Sequence, residues 1–192
     1  MTDVALLRGP RVLLRPWQPA DLDEFAALNA DPAVMEFLPA ALSREEAAAM
    51  MQRMQDRLAQ QGWGHWCMQI DQRCAGFIGL SSPGFEAHFT PCVEIGWRLA
   101  RWAWGKGYAT EGARLALAHG FDELRLPEIV SFTTVANLRS RRVMERLGMQ
   151  HNPAEDFNHP RLPGHPLERH VLYRPHRLPQ DDPDSVGRTT TT

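Results

Sequence analysis

The chain has 192 residues, a formal net charge of −2 and 43% hydrophobic residues, which suits a domain that buries a sizeable core. Its 21 basic and 23 acidic residues argue against the broad positive footprint of a nucleic-acid-binding protein, although Arg139, Arg141, Arg142 and Arg146 form a local cluster. Three irregularly spaced cysteines, Cys67, Cys74 and Cys92, fit neither a disulfide framework nor a zinc site. Residues 1–7 lack the apolar core of a signal peptide and no run is long enough to cross a bilayer, so a cytoplasmic protein with reduced thiols is expected.

In chain order, residues 11–16 predict a first strand, closed by Pro16 and followed by Trp17. Pro19-Ala-Asp opens a helix whose apolar stripe runs through Leu22, Phe25, Ala26 and Leu28. Residues 31–39 predict a short helical or turn segment. Ser43 and Glu46 then stand as a capping box before a helix carrying Ala47, Met50, Met51, Met54 and Leu58, which packing into a core explains better than a binding groove. Residues 63–70 and 74–80 predict a hairpin across Asp71-Gln-Arg73. After a loop, residues 92–99 predict a strand, 108–124 a small-residue helix, 128–135 a β-branched strand, and 137–147 a helix ended by Gly148. Residues 149–157 and 167–173 predict a last hairpin. The expected domain is 8–175, with 176–192 a disordered tail that has nothing to bury. Strand, two helices, three strands, helix, strand, helix and two strands make a mixed α/β order with an antiparallel front half.

One stretch organises the rest: Trp102-Ala-Trp-Gly-Lys-Gly-Tyr-Ala-Thr-Glu-Gly112. A strand that ends in Gly-x-Gly and feeds a helix presents unpaired N–H groups and the positive end of the helix dipole, a setting for an anion. The phosphate-loop pattern fails, because Lys106 lies between the glycines and Tyr108 follows them. The dinucleotide pattern fails as well: Thr110 takes its third glycine position and the next strand ends in Thr134-Val-Ala-Asn137 without an acid. Taken alone, Gly105-Lys-Gly107 specifies an anion site or only a tight turn.

Three blocks add context: Glu94-Ile-Gly-Trp-Arg-Leu99, Trp104 to Gly112, and Asn137-Leu-Arg-Ser-Arg-Arg-Val-Met-Glu-Arg-Leu-Gly-Met149. With them, residues 10–174 resemble the GNAT superfamily of acyl-CoA-dependent N-acetyltransferases, and within it the branch of the ribosomal-protein N-terminal acetyltransferases. The resemblance implies the acyl-CoA N-acyltransferase fold: an α+β chain with a mostly antiparallel seven-stranded sheet, splayed between its fourth and fifth strands and flanked by four helices. It implies acetyl-CoA as cosubstrate, no metal, and an amine acceptor that is a small molecule or a protein N-terminus. Neither nucleic acid nor a membrane is an expected partner, and a homodimer is left open.

Carried over residue by residue, the resemblance implies a cofactor site from Ile95, Trp97 and Leu99 on the strand, and from Trp102, Trp104, Gly105, Lys106, Gly107, Tyr108, Ala109 and Thr110 at the turn. Asn137 is the implied pantetheine anchor, and the arginines of 139–146, Arg142 among them, are candidates to reach the cofactor's 3′-phosphate or else form a solvated helix face. Trp102 departs from the Gln or Arg usual there, and Met144 replaces a tyrosine that in many relatives protonates the departing thiolate. Ser140, one turn earlier, is the implied substitute. Glu94 is the candidate base, since a primary amine with a pKa near ~10 is protonated at neutral pH; substrate orientation by Glu94, with water carrying the proton, is the competing role. Trp17, Met35, Phe37, Leu38, Phe157 and His159 are placed by the resemblance near the acceptor cleft, although the apolar ones equally suit a core. The remaining histidines match no ligand set. A non-catalytic acyl-CoA sensor or assembly protein on the same fold is the alternative function.

Overall fold

Asp71 and Gln72, with φ of 47° and 65°, form a two-residue turn whose left-handed backbone conformation matches the right-handed twist of the flanking strands. It joins β3 (His65–Ile70) to β4 (Arg73–Ser81) in a computed structural model that describes residues 4–175. Around this hairpin lie β1 (Leu7–Arg8), β2 (Leu13–Arg15) and β5 (Glu94–Leu99), giving an antiparallel five-stranded sheet in sequence order. A second sheet centres on β9 (Arg169–Arg174). It pairs β6 (Ser131–Thr134) on one edge, and β7 (Gln150–His151) and β8 (Phe157–Asn158) on the other, where the 3-10 turn Pro153–Glu155 interrupts the edge.

Compared with the expected seven strands, β1 is additional and β7 with β8 replaces one continuous strand. The other boundaries shift by a few residues. The four expected long helices are α1 (Leu22–Ala30), α3 (Arg44–Gln61), α4 (Tyr108–Ala118) and α5 (Leu138–Arg146), with the four-residue α2 (Pro32–Met35) between the first two. The capping box forms: Ser43 Oγ accepts from Glu46 N at 3.2 Å and Glu46 Oε2 accepts from Ser43 N at 2.7 Å. The expected tail at 176–192 lies outside the described residues.

Strand alternation assigns the two faces of the first sheet. Phe77 meets Phe25 of α1 at 6.4 Å between rings, while its neighbour Ile78 faces Gly112 of α4. Thus α1 and α3 cover one face and α4 the other. The buried Met51, Met54 and Leu58 of α3 are core, as their spacing predicts. Between β2 and α1, Arg15 makes a paired, buried contact with Asp21, both bonds at 2.7 Å, and a further bond to Gln69 at 2.6 Å. A buried charge pair of this kind adds little net stability, but losing one partner leaves the other charge stranded.

Close backbone approach fixes Gly79. A Cβ there would lie 2.0 Å from the Gly64 carbonyl oxygen, whereas one on Gly112 would meet only the mobile end of Ile78. Gly79→Ala is therefore expected to cost roughly 3 kcal/mol, because backbone cannot yield cheaply. Gly112→Ala should stay within about 1 kcal/mol of wild type, a helix-propensity gain offsetting the side-chain shift. Equilibrium denaturation of the two variants checks the contrast.

Candidate active site

Strands β5 and β6 run parallel but meet only at one end. Ile95 N donates to Val130 O at 2.8 Å, Val130 N donates to Val93 O at 2.9 Å, and Ser131 Oγ donates to Ile95 O at 2.9 Å. Beyond that point β6 follows β9 and β5 follows β4, so the strands part. A cavity of about 560 Å³ opens along the gap. Alternation aims the N–H groups of Trp97 and Leu99 in the same direction as that of Ile95, into the gap, where β6 no longer offers carbonyls.

At one end of the cavity lies the glycine turn. Gly105 and Gly107 take φ of 73° and 81°, a region other residues enter only with strain. A Cβ on Gly105 would meet nothing within 4 Å, so this surface is open. The opening N–H groups of α4, on Tyr108, Ala109 and Thr110, have no acceptor within the helix. Thr110 is buried and lines the cavity, and its Oγ1 has no hydrogen-bond partner among the described residues. Backbone donors, an orphaned hydroxyl and a helix N-terminus fit a phosphate-bearing cosubstrate.

Arg11 holds this turn in place. Its guanidinium donates to Lys106 O at 2.9 Å, pairs with Glu111 at 2.7 Å, and lies 4.9 Å from the centre of the Tyr108 ring. Lys106 thus contributes a backbone carbonyl to the clamp and does not line the cavity. Nor does Trp102, which stacks on Arg73 at 4.7 Å on the outside of the turn. Trp104 does line it, with Nε1 donating to Leu99 O at 2.8 Å.

Glu94 on β5 and Ser140 on α5 also line the cavity. Burial raises the Glu94 carboxyl to about 7, and the bond donated by Ser81 Oγ at 2.9 Å partly opposes that rise. Asn137 caps α5: its Oδ1 accepts from Ser140 N at 3.2 Å, and its Nδ2 donates to Ser140 Oγ at 3.1 Å. Since Ser140 Oγ accepts from Asn137, its own proton is left to donate elsewhere. Arg142 and the buried Met144 also line the cavity.

A further wall of the cavity is made by Val34, Phe37, Leu38, His65, Phe77 and Arg98. Of the six residues that the resemblance puts near the acceptor cleft, Phe37 and Leu38 line this cavity and four do not; one of these, Met35, is buried. Trp17 is buried against Phe25 at 4.8 Å with its Nε1 bonded to His65 O, because α1 packs over it. Phe157 and His159 belong to a separate aromatic cluster with Phe85 and Phe89, drawn there by pairing of β8 with β9. None of the three lines the cavity. Sequence reasoning missed Arg11, Ser81 and Arg98, and saw only a member of an arginine cluster in Arg139. The last pairs with Glu36 at 2.6 Å and lies 4.5 Å over Trp104, spanning from α2 to the turn. For Arg98 a signal existed: Glu94, Gly96 and Arg98 alternate onto one face of β5.

For metals, the described residues contain one group of converging ligand atoms, those of Asp21, Cys67 and Cys74 within 4.8 Å. Both Asp21 oxygens already bind the Arg15 guanidinium, which repels a cation from that group. Among the described residues no helix is long and apolar enough to cross a membrane.

With this geometry in hand, comparison with known proteins is direct. Residues 11–150 match the acetyltransferase (GNAT) domain family. Over 94 residues the chain is 33% identical to the FsC-acetyl coenzyme A-N(2)-transacetylase of Aspergillus fumigatus, covering 47% of this chain and 40% of that one. The chain thus spans well under half the length of that relative. The crystal structure of an acetyltransferase from Agrobacterium tumefaciens superposes with a TM-score of 0.73 and 26% identity, covering 92% of this chain and 97% of the other. RimL, a ribosomal-protein α-N-acetyltransferase solved with coenzyme A, superposes with a TM-score of 0.71 over 88% of this chain and 97% of its own. Its 17% identity speaks to the fold alone. A family match over more than half the chain, on a fold whose sheet parts at the expected strands, leads to one conclusion: the chain belongs to the GNAT family of acetyl-CoA-dependent acetyltransferases.

Proposed function

We propose that the chain is an N-acetyltransferase, its residues 8–175 acting as one catalytic domain, that moves the acetyl group of acetyl-CoA to a primary amine by direct attack in a ternary complex. The observation that carries this reading is the shared cavity: it joins the open glycine turn to a carboxyl whose affinity for protons is tuned to neutral pH. A general base works best when its pKa lies near the working pH. An acyl-CoA sensor has no use for such a group, so transfer is favoured over binding alone. A cytoplasmic location, where acetyl-CoA and reduced thiols coexist, is part of the same proposal.

In this mechanism the N–H groups of residues 105–110 and the Thr110 hydroxyl hold the pyrophosphate of the cosubstrate, and Arg142 reaches a phosphate from α5. The N–H groups of Trp97 and Leu99 align the pantetheine arm and polarise the thioester carbonyl. Asn137 acts through Ser140, which it orients. Glu94 takes a proton from the acceptor amine, directly or through water. The nitrogen bonds to the carbonyl carbon and gives up its second proton to solvent, the carbon–sulfur bond breaks, and the Ser140 hydroxyl delivers a proton to the departing thiolate and regains one from solvent.

Each role has an expected outcome. With acetyl-CoA and an amine acceptor, thiol release should give a kcat/KM that rises with pH through about 7 as Glu94 loses its proton. Glu94→Gln should remove that limb and lower kcat by ~10²–10⁴; an unchanged profile overturns the assignment. Because the folded-state pKa is raised, Glu94 holds its proton in the native protein at pH values where the unfolded chain has lost it. Its contribution to stability therefore falls as pH rises from the usual carboxylate range to about 7. Glu94→Gln should accordingly raise Tm more at pH 8 than at pH 5. Ser140→Ala should lower kcat by only about tenfold, since a thiol of pKa ~8.5 departs readily as thiolate. Arg11→Met should raise KM for acetyl-CoA several-fold while leaving the pH limb in place, measured by the same assay.

A further inference from the structure

Arg98 lines the cavity as a cation that no carboxylate neutralises among the described residues. Two other arginines withdrawn from water do meet acids: Arg15 binds Asp21 at 2.7 Å, and Arg174 binds Glu128 at 2.7 Å and Glu155 at 2.8 Å. Arg98 instead donates to Asn29 Oδ1, reaches Met50 Sδ at 3.9 Å and stands 5.4 Å from the centre of the Phe77 ring. No acid lies within ion-pair reach of it among the described residues. Desolvation, unopposed by any acid, lowers its pKa to about 10. Glu94 is the one acid lining the whole cavity. The nearby His65 gives no opposing charge either, since burial with Arg57 and Arg98 close by lowers it to about 4 and keeps it neutral.

A guanidinium held among apolar groups without a counter-ion is costly, and an anion delivered to it recovers that cost. Its planar fork matches a carboxylate in a bidentate pair. A single positive charge balances a monoanion, whereas a phosphate dianion would leave buried charge uncompensated. Glu94 and Arg98 share one face of β5, about 13 Å apart along the strand at ~3.3 Å per residue, with the cavity running between them. The amine end of an acceptor lies toward Glu94 and its anionic end toward Arg98.

Resting on the acetyltransferase reading above, we propose that the acceptor is an amine that also carries a carboxylate, a free amino acid or a short peptide, and that Arg98 is the specificity-determining residue that binds this carboxylate.

The test uses the full chain and pairs of acceptors that differ only in that group. Free-thiol release from acetyl-CoA is measured with α- and ω-amino acids and dipeptides, each as free acid and as C-terminal amide. Wild type is expected to favour the acids by at least about tenfold in kcat/KM, and the arms separate amino acids from peptides. Arg98→Gln should bring the acid-to-amide ratio to about one, and Arg98→Lys should keep part of it; a purely structural Arg98 would leave the ratio unchanged. If either variant fails to fold, the wild-type ratio alone decides. Release with amides equal to acids overturns the proposal and leaves the acetyltransferase reading intact. Release with no amine overturns that reading. In that case Tm of the coenzyme A-loaded protein with N-acetylamino acids against their amides still judges the carboxylate site: a larger shift with the acids supports it, and equal shifts overturn it.

Discussion

Everything at the site depends on two parallel strands being joined at one end only. The bonds among Val93, Ile95, Val130 and Ser131 tie β5 to β6, and past them each strand answers to a different antiparallel neighbour. Backbone donors of β5 that a continuous sheet would satisfy internally are thereby turned toward the cavity. In an ordinary sheet such groups are a liability. Here the same exposure gives an extended ligand something to pair with, and the glycine turn at the end of β5 continues the row of donors into the helix N-terminus.

Charge along the cavity is arranged with comparable economy. The glycine turn offers N–H dipoles and the Thr110 hydroxyl, held by an Arg11 clamp whose charge is balanced by Glu111. On one face of β5 stand a carboxyl whose proton affinity burial raises and an arginine with no acid beside it. Unpaired donors, a buried acid and an arginine with no acid beside it are costly in the free protein, and a cost of this kind is characteristic of sites built for a ligand. The Arg139 contacts to Glu36 and Trp104 further tie the acceptor wall to the cosubstrate turn across the mouth of the cavity.

Much of this was legible along the chain because it rests on local chemistry. Glycine spacing at 105 and 107, the Ser43–Glu46 box and the Asp71–Gln72 turn each constrain their own backbone, so pattern and structure agree. Placing β1, and dividing the last edge into β7 and β8, needed more than pattern, since two-residue strands exist only through their partners. Trp17 and Phe157 illustrate the same gap at the site. Both are large aromatic residues near chain segments that wall the acceptor side, yet packing against Phe25 in one case and Phe89 in the other removes them from the cavity.

By itself, then, the amino-acid order determined the family, the cosubstrate turn and the position of Glu94, because these follow from residues close together in sequence whose backbone geometry is local. Only the tertiary structure decided which side chains line the cavity. It withdrew Trp102, Lys106 and His159 from the cavity and brought in Arg98, with Asn29 and Met50 against it from two helices distant in sequence. The physical reason is that a charge acquires its meaning from what surrounds it. Whether an arginine is paired, solvated or left facing a cavity is settled by the packing of elements far apart in the chain.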